Sequence, residues 1–282
     1  MAHARMSSNR ILFCIERLIY SCQINDCLLY SKKEIVVYRF MKSQAFLKKY
    51  FLQQDQGRKD EGQNIMEQKI VIRNERQDDW AIVEKITRQA FYNQYIPGCV
   101  EHYLVRKMRK HEDFIPELDF VLELNGDVIG NIMYTKAKLT DESGKEKHIL
   151  TFGPISILPS YQRKGYGKIL IEHSFSEAVP LGYDTVVIFG SPANYVSSGF
   201  KSCKKYNVCI GNKKYPAAMM VKELIPGVLA GHEWVYQDSP VMAIREEEAQ
   251  RYDDSLEPME KKYLPSQEEF YIMSHSFLES GE

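Results

Sequence analysis

No stretch of this 282-residue chain approaches the roughly 18 uninterrupted apolar residues that a membrane-spanning helix needs. The early apolar run over residues 11–20 is broken by Glu16 and Arg17, a poor secretory core. Neither a membrane span nor an export signal is read, and a cytoplasmic location is expected. Cysteine is sparse: Cys14, Cys22, Cys27, Cys99, Cys203 and Cys209 match neither a CxxC zinc knuckle nor a dense disulfide frame. Reduced thiols and no metal are therefore the expectation. An excess of one charge is also missing, since 37 Lys and Arg stand against 38 Asp and Glu. The balance is uneven along the chain, with 11 basic and 6 acidic residues up to position 65, and 26 and 32 after it. A mildly acidic main body gives no electrostatic reason to expect nucleic acid as a partner. No internal repeat is present.

What is present is a globular composition, 44% hydrophobic and 27% charged, enough for a sizeable core. Residues 53–64 (QQDQGRKDEGQN) are polar throughout, contain two glycines and read as a linker. Before them stand a short expected strand at 34–40 and helical spacing over 45–52. Residues 1–65 are expected to be an N-terminal extension and residues 66–282 the main domain with a C-terminal helical tail. Asp60-Glu61-Gly62 can be encoded by a purine-rich run a few codons before Met66, which suits a bacterial ribosome-binding site. On that expectation Met66 is the start and the extension is untranslated. The competing reading is an accessory module that docks a partner.

After the linker the pattern becomes regular. A strand is expected at 69–73, then a helix started by Asp78 and Asp79 with Ile82, Ile86 and Ala90 on one face. A second helix over 100–110 repeats Val100, Leu104 and Met108. Strands at 120–124 and 128–134 are joined by Asn125-Gly126-Asp127, whose Asn-Gly pair suits the positive φ angles of a tight hairpin. A strand at 148–158 follows, in which Gly153-Pro154 interrupts the ladder because proline brings no N–H, so a bulge or splay is expected there. Ile155 and Ile157 should share one face and Ser156 the other. Further strands are expected at 185–189 and 218–224, with a brief helix ending at Phe200. Ser266 and Glu269 form a capping-box signature before a helix reaching about Leu278.

The stretch that carries chemistry is Gln162-Arg163-Lys164-Gly165-Tyr166-Gly167, between a strand and an amphipathic helix marked by Tyr166, Ile169 and Leu170. Main-chain N–H groups at a helix start lack intrahelical partners, and with the helix dipole they suit a pyrophosphate. Gly165 and Gly167 remove Cβ atoms from the approach, while Arg163, Lys164 and Lys168 add positive charge. A dinucleotide loop needs a third glycine where Leu170 stands, and a P-loop needs Ser or Thr where Ile169 follows Gly167-Lys168. Both alternatives are weakened.

This hexapeptide resembles the Q/R-x-x-G-x-G/A signature of the GNAT N-acetyltransferases. LTFGPISILPSYQRKGYGKILIEH is similar to that family's fourth strand, pyrophosphate loop and third helix, and SPANYVSSGF to the pattern placing a Tyr five residues before the Phe of a Gly-Phe pair. PGCVEHYLVRKMRKHEDFIPELDFVLELNGDVIGNIMY and EPMEKKYLPSQEEF resemble the YhbS-like branch. The resemblance covers about residues 68–278. It implies an α/β architecture, a mostly antiparallel mixed sheet splayed between its fourth and fifth strands and flanked by helices. It also implies acetyl-CoA as cosubstrate and an amine as acceptor, joined by direct attack on the thioester, with no membrane partner and a homodimer left open.

Residue by residue, the resemblance carries over the pantetheine contact to the main chain at Ile157 and Leu158. It carries the diphosphate to Arg163, Lys164, Gly165, Tyr166, Gly167 and Lys168, and the proton donor for the departing thiolate to Tyr195, whose structural alternative is aromatic packing. No general base is assigned. Glu123, Glu101 and His102 are candidates that each have a paired or solvated alternative, His173 reads as packing, and Cys99 as structural. The acceptor, the acyl length and the base stay open, as does a non-catalytic acyl-CoA sensor that uses residues 246–278 to contact partners. A nucleotide-binding protein is the weaker third reading.

Overall fold

The computed structural model describes residues 69–279 together with a two-residue antiparallel pairing of Leu29–Tyr30 with Ile35–Val36. The backbone divides into two units, Met1–Ile70 and Val71–Glu282. In the first, Ile35–Val36 falls inside the strand expected at 34–40. The helix expected over 45–52, the linker, and Cys14, Cys22 and Cys27 lie outside the described residues.

The second unit is built on one nine-stranded sheet. Its strands are β1 (Ile70–Asn74), β2 (Phe120–Leu124), β3 (Asp127–Asp141), β4 (Glu146–Ile157), β5 (Thr185–Phe189), β6 (Lys201–Ser202), β7 (Val208–Cys209), β9 (Met219–Glu223) and β10 (Trp234–Gln237). The order is β1-β2-β3-β4-β5-β9-β6, with β10 pairing β3 and β7. Antiparallel pairing joins β2 to β3, β3 to β4, β3 to β10, β5 to β9 and β9 to β6, whereas β4 with β5 and β7 with β10 run parallel. A small second sheet pairs β8 (Tyr215–Pro216) with β11 (Phe277–Leu278).

Local chemistry accounts for most of these elements. Asn125 and Gly126 take φ of 57° and 96° and close the β2–β3 hairpin, with Leu124 opposite Asp127. Strand β3 runs seven residues past the expected Tyr134, because Thr135-Lys136-Ala137-Lys138-Leu139 continues the alternation, burying Ala137 and Leu139 and turning the lysines outward.

Helix α1 (Trp80–Phe91) follows a 3-10 turn at Gln77–Asp79. Its inner face is Val83, Ile86 and Thr87, not the expected series through Ile82, which is left exposed. Helix α2 (Glu101–Met108) buries Leu104, Val105 and Met108 against Val83, Val121 and Met133. A second apolar cluster, with Leu139, Ile149, Val187, Met219 and Trp234 among its members, fills the other end of the sheet.

Helix α3 (Tyr166–Ala178) leads from the Gly-containing loop into β5, and α4 (Pro192–Tyr195) follows β5. Two helices close the chain, α5 (Glu246–Asp253) and α6 (Pro265–Ser274). The expected capping box at Ser266 is not formed. Pro265 occupies the first helical position and no side chain caps the helix, since proline's fixed φ starts the turn without one. The helix also stops at Ser274 rather than Leu278, because Phe277–Leu278 leaves it to pair with Tyr215–Pro216.

Buried charge locks α5 to the first helices. Arg88 Nε donates to Asp253 Oδ1 at 2.7 Å with both side chains about 8% exposed, and its Nη1 donates to Glu257 O at 2.7 Å. Breaking one partner of such a pair strands the other charge without water, at a cost of about 3–5 kcal/mol. Asp253→Ala should lower the unfolding free energy by about that amount in urea titrations, while Asp254→Ala, on the exposed neighbour, should change it by less than about 0.5 kcal/mol.

A second buried carboxyl sets a pH dependence. Burial, then the adjacent Glu75 carboxylate, raises the Asp119 ionisation well above its ordinary 3.8. Above that value the unfolded chain releases a proton that the folded chain keeps, so stability falls as pH rises until Asp119 ionises in the fold. Asp119→Asn removes this contribution. The stability of wild type relative to the variant should therefore decline steadily in urea melts taken from about pH 4 to pH 8.

Candidate functional site

The site begins where β4 leaves β5. The two strands share a single register pair, Leu150 with Val186, and β4 continues to Ile157 along β3 alone. Between Ile132 and Tyr134 the β3–β4 register shifts, because Gly153 and Pro154 together stand opposite one residue. This is the bulge expected from the proline, and it turns the end of β4 away from β5. Ser156 is buried and donates to Thr87 Oγ1 at 3.0 Å, while Ile155 and Ile157 line the opposite face, as the alternation requires. Gly130 permits the geometry, since a Cβ there would sit 2.4 Å from Ile157 Cδ1 and 2.7 Å from Ser156 O.

Main-chain groups at the end of β4 divide sharply. The Leu158 N–H donates to Ile129 O at 2.8 Å, and the Leu158 carbonyl accepts from Tyr161 N at 2.8 Å. Both groups of Leu158 are thus taken by the protein itself. Since successive residues of a strand aim their N–H and C=O to alternate sides, those of Ile155 and Ile157 point toward the gap. The Ile157 carbonyl accepts from Gln162 Nε2 at 2.9 Å, which folds the loop back over the strand end.

The loop then presents its amides. Arg163 and Gly165 take positive φ, 61° and 91°, turning the chain so that α3 starts at Tyr166 without any side-chain cap. The Ile169 N–H donates to Gly165 O at 3.1 Å and closes the first turn of α3. The amides before it face outward at the positive end of the helix dipole. A Cβ on Gly167 would meet Ile157 Cγ1 at 3.7 Å, an ordinary contact, so internal packing does not demand glycine there. The Tyr166 ring is buried and packs edge-on to Tyr161, leaving its amide as the group it offers. The Lys164 ammonium binds Ser160 O at 2.8 Å and lies over the Tyr161 ring, Arg163 Nη1 reaches Asn194 Oδ1 at 3.4 Å, and Lys168 pairs with Glu172 at 3.6 Å.

Tyr195 ends α4 on the other side of the gap. Its ring leans on Phe152 of β4 (5.8 Å between centroids) and on Phe200 (6.0 Å), and it is half-buried. Gly190 makes room for it, because a Cβ there would stand 2.7 Å from Tyr195 Cε2. Burial, then the phenol of Tyr95, pushes the Tyr195 ionisation well above the ordinary phenol value, so it is a protonated donor at neutral pH.

The candidate bases separate. Glu123 accepts from Arg73 Nε at 2.7 Å, and Arg73 also binds Asp79, so it is part of a structural ion-pair cluster. His102 is fully buried between Cys99 Sγ at 3.2 Å and Asp253 Oδ1 at 3.3 Å, and burial lowers its pKa to about 4. Burial raises the Cys99 thiol far above its ordinary value, which keeps it inert. His173 packs edge-on against Phe120 at 4.7 Å with its pKa lowered to about 4 by burial. Glu101, unlike Glu123, carries no ion pair among the described residues, and burial raises its pKa to about 7.

A sequence model described as the acetyltransferase (GNAT) family matches residues 81–200. Residues 81–200 are thus similar to the GNAT acetyltransferases. The match takes in α1 through Phe200, hence the β4–β5 gap, the Gly-containing loop and Tyr195. Within the curated proteins, the GNAT region is similar to the uncharacterized N-acetyltransferase YjhQ of Escherichia coli K12, 30% identical over 121 residues. Those residues are 43% of this chain and 62% of YjhQ, so the chain spans under two thirds of that relative's length. Among solved structures, the GNAT N-acetyltransferase YhbS of Escherichia coli, crystallised in complex with CoA, superposes with a TM-score of 0.54 at 20% identity, covering 64% of this chain and 96% of YhbS. That likeness is one of fold.

Gly130, Gly190 and Tyr95 are absent from the sequence-derived site. Gly190 had a local signal, the turn at Ser191-Pro192 beside it, whereas the influence of Tyr95 on Tyr195 arises only through the folded chain. Gly190→Ala drives a methyl group into the Tyr195 ring and should lower stability by about 1–3 kcal/mol in denaturant melts, with Tyr195→Ala in the same chain relieving most of the added cost.

Proposed function

We propose that the GNAT domain is an N-acetyltransferase that transfers the acetyl group of acetyl-CoA to a primary amine. The observation that carries the reading is the β4–β5 gap, with outward amides of Arg163 to Lys168 at one end and the Tyr195 phenol at the other. A diphosphate fits the first, which offers several N–H donors and the α3 dipole. A pantetheine arm, itself an extended amide chain, fits the gap-facing main chain of Ile155 and the N–H of Ile157 as an added strand. Because the groups of Leu158 are internally used, its share is to hold the end of β4 in place. Tyr195, protonated and close to Phe152 of β4, is placed to hydrogen-bond the leaving thiolate sulfur.

The names of YjhQ and YhbS support the same chemistry, and the motifs of the YhbS-like branch extend it toward the C-terminal tail. Residues 1–65 are treated as an extension to the enzyme, in line with the division of the backbone at Ile70. No described helix is long and apolar enough to cross a membrane. A cytoplasmic location goes with this reading.

Calorimetry with CoA and acetyl-CoA tests the site, and thiol release across a panel of primary amines tests the reaction. Tyr195→Phe should cut turnover by about 10²–10⁴-fold while CoA affinity stays within about twofold. Folded protein that gives no heat with either ligand defeats the assignment. Binding without turnover on any amine leaves an acyl-CoA binding domain instead.

A further inference from the structure

The sheet has two faces where β4 and β5 part, and side chains fill them unequally. Leu150 stands in register with Val186, so Phe152 and Ile188 share their face, while Thr151, Val187 and Phe189 share the other. On the first face Phe152 meets Tyr134, Tyr195 and Phe200 at ring-centroid distances of 5.3, 5.8 and 5.9 Å, and Phe200 meets Phe175 of α3 at 5.9 Å. Phe152 and Phe200 are both buried, so aromatic packing closes this face, with Tyr195 as part of it. On the second face Phe189, the last residue of β5, is 48% exposed.

Strand β10 and the turn after it complete the second face. Tyr236 pairs with Leu139 of β3, belongs to the same buried cluster as Ile149 and Val187, and brings its ring to 5.9 Å from that of Phe189. Past β10 the chain turns at Pro240–Met242, and Met242 reaches the β4 bulge. A Cβ on Gly153 would meet Met242 Cε at 3.4 Å and, its chain neighbours aside, no other heavy atom within 4 Å. Gly153 does not take a positive φ, so its backbone does not call for glycine, and the space a side chain would fill stays open. Gly153 and Phe189 are each three residues past the Leu150–Val186 pair. The opening over Gly153 is thus bordered by Thr151, Phe189, Tyr236 and Met242, none of which carries charge.

We infer that the acceptor enters over Gly153, on the face away from Tyr195, and that the walls of this opening select a primary amine on an apolar carbon skeleton, alkyl or aryl-alkyl. The inference deepens the acetyltransferase reading and rests on it. A thioester laid along β4 as an added strand turns the two sides of its carbonyl plane to the two faces of the sheet, and an amine attacks perpendicular to that plane. Since the Phe152 face is packed shut, the Gly153 face is the one left for approach. The lone pair of the neutral amine forms the C–N bond and the C–S pair leaves with the thiolate. Tyr195 protonates that thiolate, and the proton lost from nitrogen replaces the one Tyr195 gave. Apolar carbons of the acceptor leave water against Phe189 and Met242, whereas a second ammonium laid there loses its hydration with no charge to replace it.

The test measures thiol release from acetyl-CoA with ethylamine, n-hexylamine, 2-phenylethylamine and 1,4-diaminobutane, and calorimetric binding of each amine to CoA-saturated protein. Wild type should favour n-hexylamine and 2-phenylethylamine over the other two by at least about tenfold in kcat/KM. Phe189→Ala should raise KM for the two apolar amines about tenfold while their kcat changes less than about threefold, with CoA affinity and melting temperature unchanged. Phe189→Leu, which keeps an apolar wall, should restore most of the loss. Equal efficiency with all four amines, a preference for ethylamine or the diamine, or the same preference in wild type and Phe189→Ala overturns the inference and leaves the acetyltransferase reading standing. Where no amine is turned over, Phe189-dependent binding of 2-phenylethylamine keeps the inference about the opening and removes the acetyltransferase reading, and no such binding removes both.

Discussion

The geometry of the site depends on a hydrogen-bond ladder that stops. Strands β4 and β5 meet at one register pair and then part, because Gly153 and Pro154 put two residues where β3 has one and proline supplies no N–H. Each main-chain group left unpaired in an apolar setting costs on the order of 1–3 kcal/mol, so a sheet parts internally only where water or a ligand meets those groups. Gly130 then lets β3 lie close under the diverging strand, and the side chain of Gln162 closes back onto Ile157 O. The gap, the outward loop amides and the Phe152 face against which Tyr195 rests all follow from that one interruption.

The opposite wall owes its shape to the end of the chain. Residues 257–267 reach the α1–α2 loop through Arg88, Asn93 and Gln267, and α6 supplies Phe270 to Tyr95. Beyond α6 the chain pairs with β8, so one continuous segment touches both the loop and the second small sheet. An exposed loop would otherwise sample many conformations, at about 1–2 kcal/mol of backbone entropy per ordered residue. The three bonds to the Asn93 side chain and carbonyl oppose that entropy at the point where the chain takes a left-handed turn.

Much of this was legible in the sequence, and the reasons differ from element to element. The Asn125-Gly126 hairpin, the β5 strand and the strand–loop–helix around Gly165 carry local signals strong enough to place them within a residue or two. The β4 bulge was legible because proline's missing N–H is a property of the residue itself. Three readings failed where tertiary partners decide: α1 turns Val83 inward in place of Ile82, Ser266 gives up its cap to Pro265, and Phe277–Leu278 leave the helix for a strand partner some sixty positions earlier. Leu158 illustrates the same limit within the site. A motif assigns a residue's position but not which edge of the strand its amide faces, and here both its main-chain groups were already used. Sequence alone does not separate Glu101, Glu123 and His102, because they differ in what the fold brings to them: Arg73 beside Glu123 and Asp253 beside His102.

Burial acts on the ionisation of these groups as well. Burial raises the ionisation of both Tyr195 and Glu101, yet with opposite consequences at neutral pH, because their ordinary values lie on either side of it. The phenol moves further from neutrality and stays a donor. The carboxyl moves up to neutrality and is shared between its two forms. The Tyr95 phenol is raised by burial in the same way and likewise stays protonated.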